Sequence, residues 1–319
     1  MSKVNVYKLI AILTITLSLI LMISSFWNDS LIVDEIPHIG AGYSYLEKLD
    51  YRLNPEHPPL GKMVATLPLL FLKLKQGAFE TPSWETHING QWEFGRSLIF
   101  KTGNDANFIT RMVKFPMLLF FILTALMTWH WTKKLYSKKA GLIALVLFCF
   151  STTIMAHSRF VTTDVPALFG VLFATYFFLK YLHEPTTKNL WIAGLIFGVA
   201  QLTKFSLFLL APYFLLLALV WGLVQAKKSF TVQFLVSTVL IFIIGFIFMV
   251  WPIYTTITSD YPIERQYNDT KTLLSSFGRR SLADSVTYLS GNPITRGLAQ
   301  YGLGLLMVVQ RASGGNTTY

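Results

Sequence analysis

Apolar stretches of about the length that crosses a bilayer recur along this chain, and no other feature restricts its folding so strongly. A helical span needs roughly 20 mainly apolar residues, because lipid offers the backbone no hydrogen-bonding partner and each helix must satisfy its own. Seven stretches meet or approach that length, at about residues 8–27, 112–131, 140–157, 164–181, 190–204, 206–226 and 230–251. The expected fold is an all-α polytopic membrane protein, a transmembrane helix bundle. Composition agrees, since 53% hydrophobic residues and a mean hydropathy of +0.50 exceed, and 13% charged residues fall below, what a soluble domain carries. Lys3 and Lys8 before the first apolar run resemble a signal peptide's opening, but the run is long and no small-x-small cleavage pattern follows. It reads as a retained anchor. The single cysteine, Cys149, lies inside the third span and excludes a disulfide framework or a thiolate metal cluster.

Charge orients the spans, because short cytoplasmic loops collect Lys and Arg. With the N-terminus inside, the inner segments 1–8, 132–139 ("TKKLYSKK"), 180–189 and 226–229 hold ten basic residues and one acid, Glu184. The first outer loop, about 28–110, holds seven basic residues and ten acids. The expected location is therefore a multi-pass plasma or inner membrane protein with a cytoplasmic N-terminus. The net charge of +11 comes largely from the inner lysines, which suits contact with anionic membrane lipids and not with nucleic acid. Two regions are expected: a transmembrane module over 1–255 with an outer loop at 28–111, and an outer-face tail over 256–319. The tail ends in "RASGGNTTY" without a following span and reads as an interrupted loop of a longer chain.

The outer loop concentrates titratable groups in "VDEIPHIGAGYSYLEKLDYRLNPEHPPLGK", residues 33–62. Asp34 stands where a helix can begin, with Pro37 tolerated in its first turn and Ile39, Tyr43 and Leu46 recurring at helical spacing. "LNPEHPPLGK" then carries three prolines in five residues, which presents Glu56 and His57 on a stiff extended segment. The same face receives Arg159 and Asp164 from the third-to-fourth turn and Lys204 from the fifth-to-sixth. Ionisable groups at span ends are costly and line cavities or pair with each other. Two readings stay open for each residue: Asp34 caps a helix or does chemistry, Arg159 and Asp164 form a structural pair or bind a ligand, and Lys204 snorkels or meets a phosphate.

Four stretches, "DEIPHIGAGYSYL", "DYRLNPEHPPLGK", "SRFVTTDVPA" and "LTKFSLFLLAP", resemble the lipid-carrier-dependent glycosyltransferases of the GT-C fold. That group contains the protein O-mannosyltransferases and the aminoarabinose transferase of lipid A, and the resemblance covers roughly residues 8–255. It implies a GT-C-like helix bundle that transfers a sugar from a polyprenyl-phosphate donor to a protein, lipid or glycan acceptor at the outer face, with inversion. It puts the catalytic carboxylate at Asp34 with Glu35 beside it, a second acidic position at Asp164, and a basic group near the carrier phosphate at Lys204. Arg159, His57 and Tyr43 join Asp164 and Lys204 as candidate substrate contacts. A divalent metal ion is left open as cofactor, with Glu35, His38, His57 and Asp164 as candidate ligands and hydrogen bonding as the alternative role.

The chemistry points the same way. A polyprenyl phosphate is already a competent leaving group, so it needs positive charge more than protonation, and Lys204 and Arg159 suit that role. The acceptor needs a positioned base, which is Asp34's part. Tyr43, Tyr45, Tyr51, Trp84 and Trp92 offer aromatic faces to a sugar or, equally, anchor the interface. A polytopic transporter or lipid flippase is the alternative, but it would place its charges near the bilayer midplane, and these gather at one face. A scaffold subunit needs no such gathering.

Overall fold

The computed structural model describes residues 3–224 and 228–314; the expected inner segments 1–8 and 226–229 lie partly outside them, and 315–319 wholly. The chain opens with α1 (Lys3–Phe26) and continues into a loop region holding α2 (Glu35–Glu47), α3 (Leu60–Thr66), α4 (Pro82–Glu85) and α5 (Gln91–Arg96). The bundle follows as α6 (Ala106–Leu135), α7 (Lys138–Cys149), α8 (Thr152–Ser158), α9 (Asp164–His183), α10 (Thr187–Gln201), α11 (Leu210–Val224), α12 (Lys228–Gly245) and α13 (Trp251–Ile257). The tail forms α14 (Ile263–Leu273), α15 (Arg280–Ser290) and α16 (Arg296–Ser313), and the described residues contain no strand.

The protein is an all-α integral membrane protein, with five helical segments long and apolar enough to cross a bilayer: Val6–Phe26, Ala106–Leu135, Asp164–His183, Phe205–Val224 and Thr231–Ile257. Two of the seven expected spans differ. The stretch at 140–157 breaks into α7 and α8 at a 62° bend. Ser151 stands at the break as the N-cap of α8, its Oγ accepting from the amide of Ile154 at 3.5 Å. The stretch at 190–204 ends early as the 15-residue α10, because the chain turns after Gln201. This short helix lies close to its neighbour: a Cβ on Gly198 would stand 2.4 Å from the carbonyl oxygen of Gly245 in α12, so only small residues fit the crossing.

The loop between α1 and α6 is folded, not open. Beneath it lies a core that includes Ile39, Tyr43, Tyr45, Tyr51, Phe94 and Tyr254, with the Tyr45 and Tyr51 rings stacked at 4.0 Å. The tail packs onto this loop and does not stand apart. The amide of Asp260 donates to Leu49, Gln300 donates to the carbonyl of Tyr51 at 3.4 Å, and the Tyr301 hydroxyl donates to Gln201 at 3.0 Å. Arg296 is buried and holds Gln266 and the carbonyl of Tyr261. Gly304 meets the loop so closely that an added Cβ would lie 2.2 Å from the Pro55 carbonyl oxygen.

Candidate active site

Three segments far apart in sequence meet at the loop end of the bundle. Glu35 and His38 are three residues apart on α2 and so share one face of it. Both take hold of Val161: its amide donates to Glu35 Oε1 at 2.9 Å, and its carbonyl accepts from His38 Nδ1 at 2.8 Å. Val161 lies in the turn between α8 and α9, so this grip fixes where α9 begins, at Asp164. A second tie runs from the amide of Leu60 to the carbonyl of Leu202 at 3.0 Å, joining the proline-bearing segment to the turn that carries Lys204. Lys204 then reaches Asp164, Nζ to Oδ1 at 2.8 Å, and His157 Nδ1 stands 3.5 Å from Oδ2 of the same carboxylate.

Asp34 occupies the N-cap position of α2 but its side chain accepts no cap hydrogen bond. It is exposed, and none of the hydrogen bonds or ion pairs among the described residues involves its carboxylate. Its charge acts on His38. The residue after it is the opposite. Glu35 is fully buried, with Oε2 accepting from the amide of Ile32 at 2.8 Å and Lys114 Nζ 3.8 Å away. Burial raises its pKa while Lys114 and the two amides oppose the rise. Glu35 thus holds the loop together, and its neighbour is left free.

The rings of His38 and His57 meet edge to face at 5.0 Å. Burial, and after it the charge of Lys62, lowers the pKa of His38 to about 4, so its ring is neutral and donates from Nδ1. Burial also pushes His57 far down, helped by His38 and by the cations Lys62, Arg311 and Lys204 around it. His57 is held through its backbone, where its carbonyl accepts from Tyr51 at 2.6 Å and from Lys62 at 2.7 Å. Beside it, Glu56 is buried among Gln91, Asn89 and Arg311, which comes from the tail helix α16.

Sequence reading missed two lysines. Lys62 is 1% exposed, and its ammonium donates to the Tyr45 hydroxyl, the Asn54 carbonyl, Asn54 Oδ1 and the His57 carbonyl at 2.7–3.0 Å. It gathers the whole "LNPEH" turn around itself, and burial pulls its pKa well below the ordinary lysine value. Lys114 in α6 lies fully buried between Glu35 and the Ser30 carbonyl. The signal for both was a lone charge inside an apolar helical run.

Not every expected residue joins the cluster. Arg159 turns toward the end of α1, where it pairs with Asp29 and donates to Ser25 Oγ at 2.9 Å. Tyr43 is 1% exposed, packed in the core with its hydroxyl accepting from Gln76 at 2.8 Å, and it presents no face to a ligand. The four candidate metal ligands do not converge: no group of three or more His, Cys, Asp or Glu among the described residues is arranged to hold a metal ion. Both oxygens of Glu35 and Nδ1 of His38 are already used by backbone groups.

Past Lys204, an apolar groove of about 530 Å³ runs along α9 and α11, lined by Val171, Leu172, Thr175, Leu207, Leu210 and Tyr213 among others. The groove is lined by aliphatic and aromatic side chains with the small hydroxyls of Thr175 and Ser206 among them, and it begins at the turn that carries Lys204, which suits a hydrocarbon chain. No curated protein and no solved structure matches the chain. A family model described as dolichyl-phosphate-mannose-protein mannosyltransferase matches residues 11–259 and takes in Asp34, the histidine pair, Asp164, Lys204 and the groove. The chain belongs to that family, glycosyltransferases that draw their sugar from a polyprenyl-phosphate donor.

Proposed function

We propose that the chain transfers a sugar at the outer membrane face, with inversion, and that Asp34 is the general base. The observation carrying this reading is the free carboxylate of Asp34, set on a backbone that Glu35 and His38 clamp on its C-terminal side. An acid that is positioned yet unpartnered is available to take a proton. In the reaction an acceptor oxygen attacks the anomeric carbon and its proton passes to Asp34. The bond from that carbon to the phosphate oxygen breaks, and its electron pair leaves with the polyprenyl phosphate. The sugar's anomeric configuration inverts.

Lys204 supplies positive charge to the leaving phosphate, with Asp164 holding the ammonium in place until the donor arrives. The apolar groove beside Lys204 receives the first part of the prenyl chain. His57, neutral and ringed by Lys62, Arg311 and Lys204, hydrogen-bonds the sugar or the phosphate. Arg159 supports the site from behind through Asp29. The acceptor is a hydroxyl of a protein.

The test is transfer of radiolabelled sugar from a polyprenyl-phosphate donor to acceptor by the full chain in proteoliposomes, with the product's anomeric configuration read by NMR. Labelled, inverted product supports the reading. Movement of the lipid across the bilayer without sugar transfer would make the protein a flippase, and retained configuration would remove Asp34 as a base in a single displacement.

A further inference from the structure

At the end of the bundle opposite the loop, α6 and α9 border a second groove of about 400 Å³. Leu123, Leu126, Met127, Phe173 and Phe177 line its depth, and His130, Tyr176 and Lys180 stand at its mouth. Helical spacing builds the mouth from two facing pairs, His130 with Lys134 on α6 and Tyr176 with Lys180 on α9, each four residues apart. A hydrogen bond of 3.1 Å between His130 Nε2 and the Tyr176 hydroxyl bridges the helices, and Lys134 Nζ lies 5.9 Å from the Tyr176 ring centre. Lys133, Lys134 and Lys180 all exert their charge on the His130 ring. None of the three lysines has a carboxylate partner among the described residues, and Glu184, one turn past Lys180, makes no ion pair with it.

Several cations gathered without a counter-ion repel one another, and at a bilayer surface the partner that relieves this is a lipid phosphate. Snorkelling alone would explain scattered lysines at helix ends. It does not explain why Lys180 lines, and Lys134 flanks across the Tyr176 ring, a groove whose other lining is mostly apolar. We propose that this cleft binds a membrane phospholipid with an anionic headgroup. One acyl chain lies in the groove, and the phosphate rests between Lys134, Lys180 and the His130–Tyr176 bridge. The occupant is a structural or regulatory lipid, distinct from the sugar donor, whose phosphate is placed at Lys204 and Asp164 by the reading above.

The experiment uses the full chain in a neutral detergent, with retained lipids counted by native mass spectrometry against phosphatidylglycerol and phosphatidylcholine of equal chain length. Wild type should keep phosphatidylglycerol in preference to phosphatidylcholine. The double substitution Lys134→Gln with Lys180→Gln should weaken phosphatidylglycerol by about thirtyfold, the loss expected from two lysines near a phosphate. Leu126→Trp fills the groove while keeping every charge, and should weaken the same lipid. Equal retention of both lipids by wild type would overturn the proposal, as would phosphatidylglycerol binding unchanged in both variants. Displacement of the lipid by inorganic phosphate alone, or by polyprenyl phosphate in preference to phosphatidylglycerol, would also overturn it.

Discussion

Asp34→Asn and Glu35→Gln, adjacent and chemically alike, should fail in opposite ways. Asp34 is exposed, its side chain makes no cap hydrogen bond and it has no partner among the described residues, so its amide should leave stability within about 0.5 kcal/mol of wild type. The loss falls on the reaction: without a base, turnover should drop on the order of 100-fold to 10,000-fold, or about 3–5 kcal/mol of barrier. Glu35 has no exposure, accepts two backbone amides and faces Lys114 at 3.8 Å. A glutamine has one acceptor oxygen where two are used, and it leaves the Lys114 ammonium without its counter-ion. Breaking a buried pair in this way costs roughly 3–5 kcal/mol, so Glu35→Gln should unfold at markedly lower temperature. The assay measures initial rates of sugar transfer at saturating donor on the full chain, with thermal unfolding followed in the same detergent. An Asp34→Asn enzyme that keeps more than about a tenth of wild-type turnover refutes the base assignment. A stable but inactive Glu35→Gln would move the base one residue along.

Four further outcomes follow from the geometry. Lys62→Met strips the shared donor from four acceptors and should destabilise the protein by several kcal/mol, each abandoned group costing about 1–3 kcal/mol; an unfolding midpoint like wild type would show that water replaces the ammonium. His38 is neutral when folded down to about pH 4, whereas an unfolded histidine gains its proton near 6.5. Stability should thus fall as pH drops between those values, by up to about 3 kcal/mol, and a flat unfolding temperature across that window would contradict the buried neutral ring. Lys204→Met should raise the apparent KM for the lipid donor with little change in stability, since a half-exposed pair contributes below about 1 kcal/mol; unchanged donor affinity assigns Lys204 to headgroup snorkelling. Asp284→Cys on the exposed face of α15 should react with an impermeant thiol reagent in intact cells while Ser137→Cys stays silent, the native Cys149 being buried; labelling of Ser137→Cys would invert the orientation.

The bundle was legible because hydropathy measures what a membrane demands of each residue singly. That the loop gathers its charges at one end was legible for the same reason, but "NPEHPP" is not the extended segment its prolines suggested: the chain turns at Asn54, which has φ +52°, and Glu56 is buried. Contacts across more than a hundred residues were not legible. The helical spacing that put Tyr43 on an apolar face said nothing of what covers that face, and the structure covers it with Phe79 and Gln76. Arg159 could reach several acids, and the choice of Asp29 depended on where α1 ends. The parts played by Lys62 and Lys114 were not legible, because burial of a cation is decided by the acceptors around it, which composition does not reveal. The break before α8 falls at "STT" inside a long apolar run, where Ser151 caps the new helix. The tail's grip on the loop, through Gln300, Gly304 and Arg311, had no periodic signal at all.

The hold of Glu35 and His38 on Val161 spans 126 and 123 residues of sequence, and that separation imposes a timetable on biogenesis. A ribosome adding about 5–20 residues per second delivers the α8–α9 turn on the order of ten seconds after α2. Through that interval the first loop carries a carboxylate and an imidazole shaped for a partner that does not yet exist. Until the turn arrives, the loop must be held by water, lipid headgroups or a chaperone. The arrangement of Glu35, His38 and Val161 is therefore a late product of membrane insertion, and a chain stalled before α9 would carry every residue of the first loop without the clamp that fixes it.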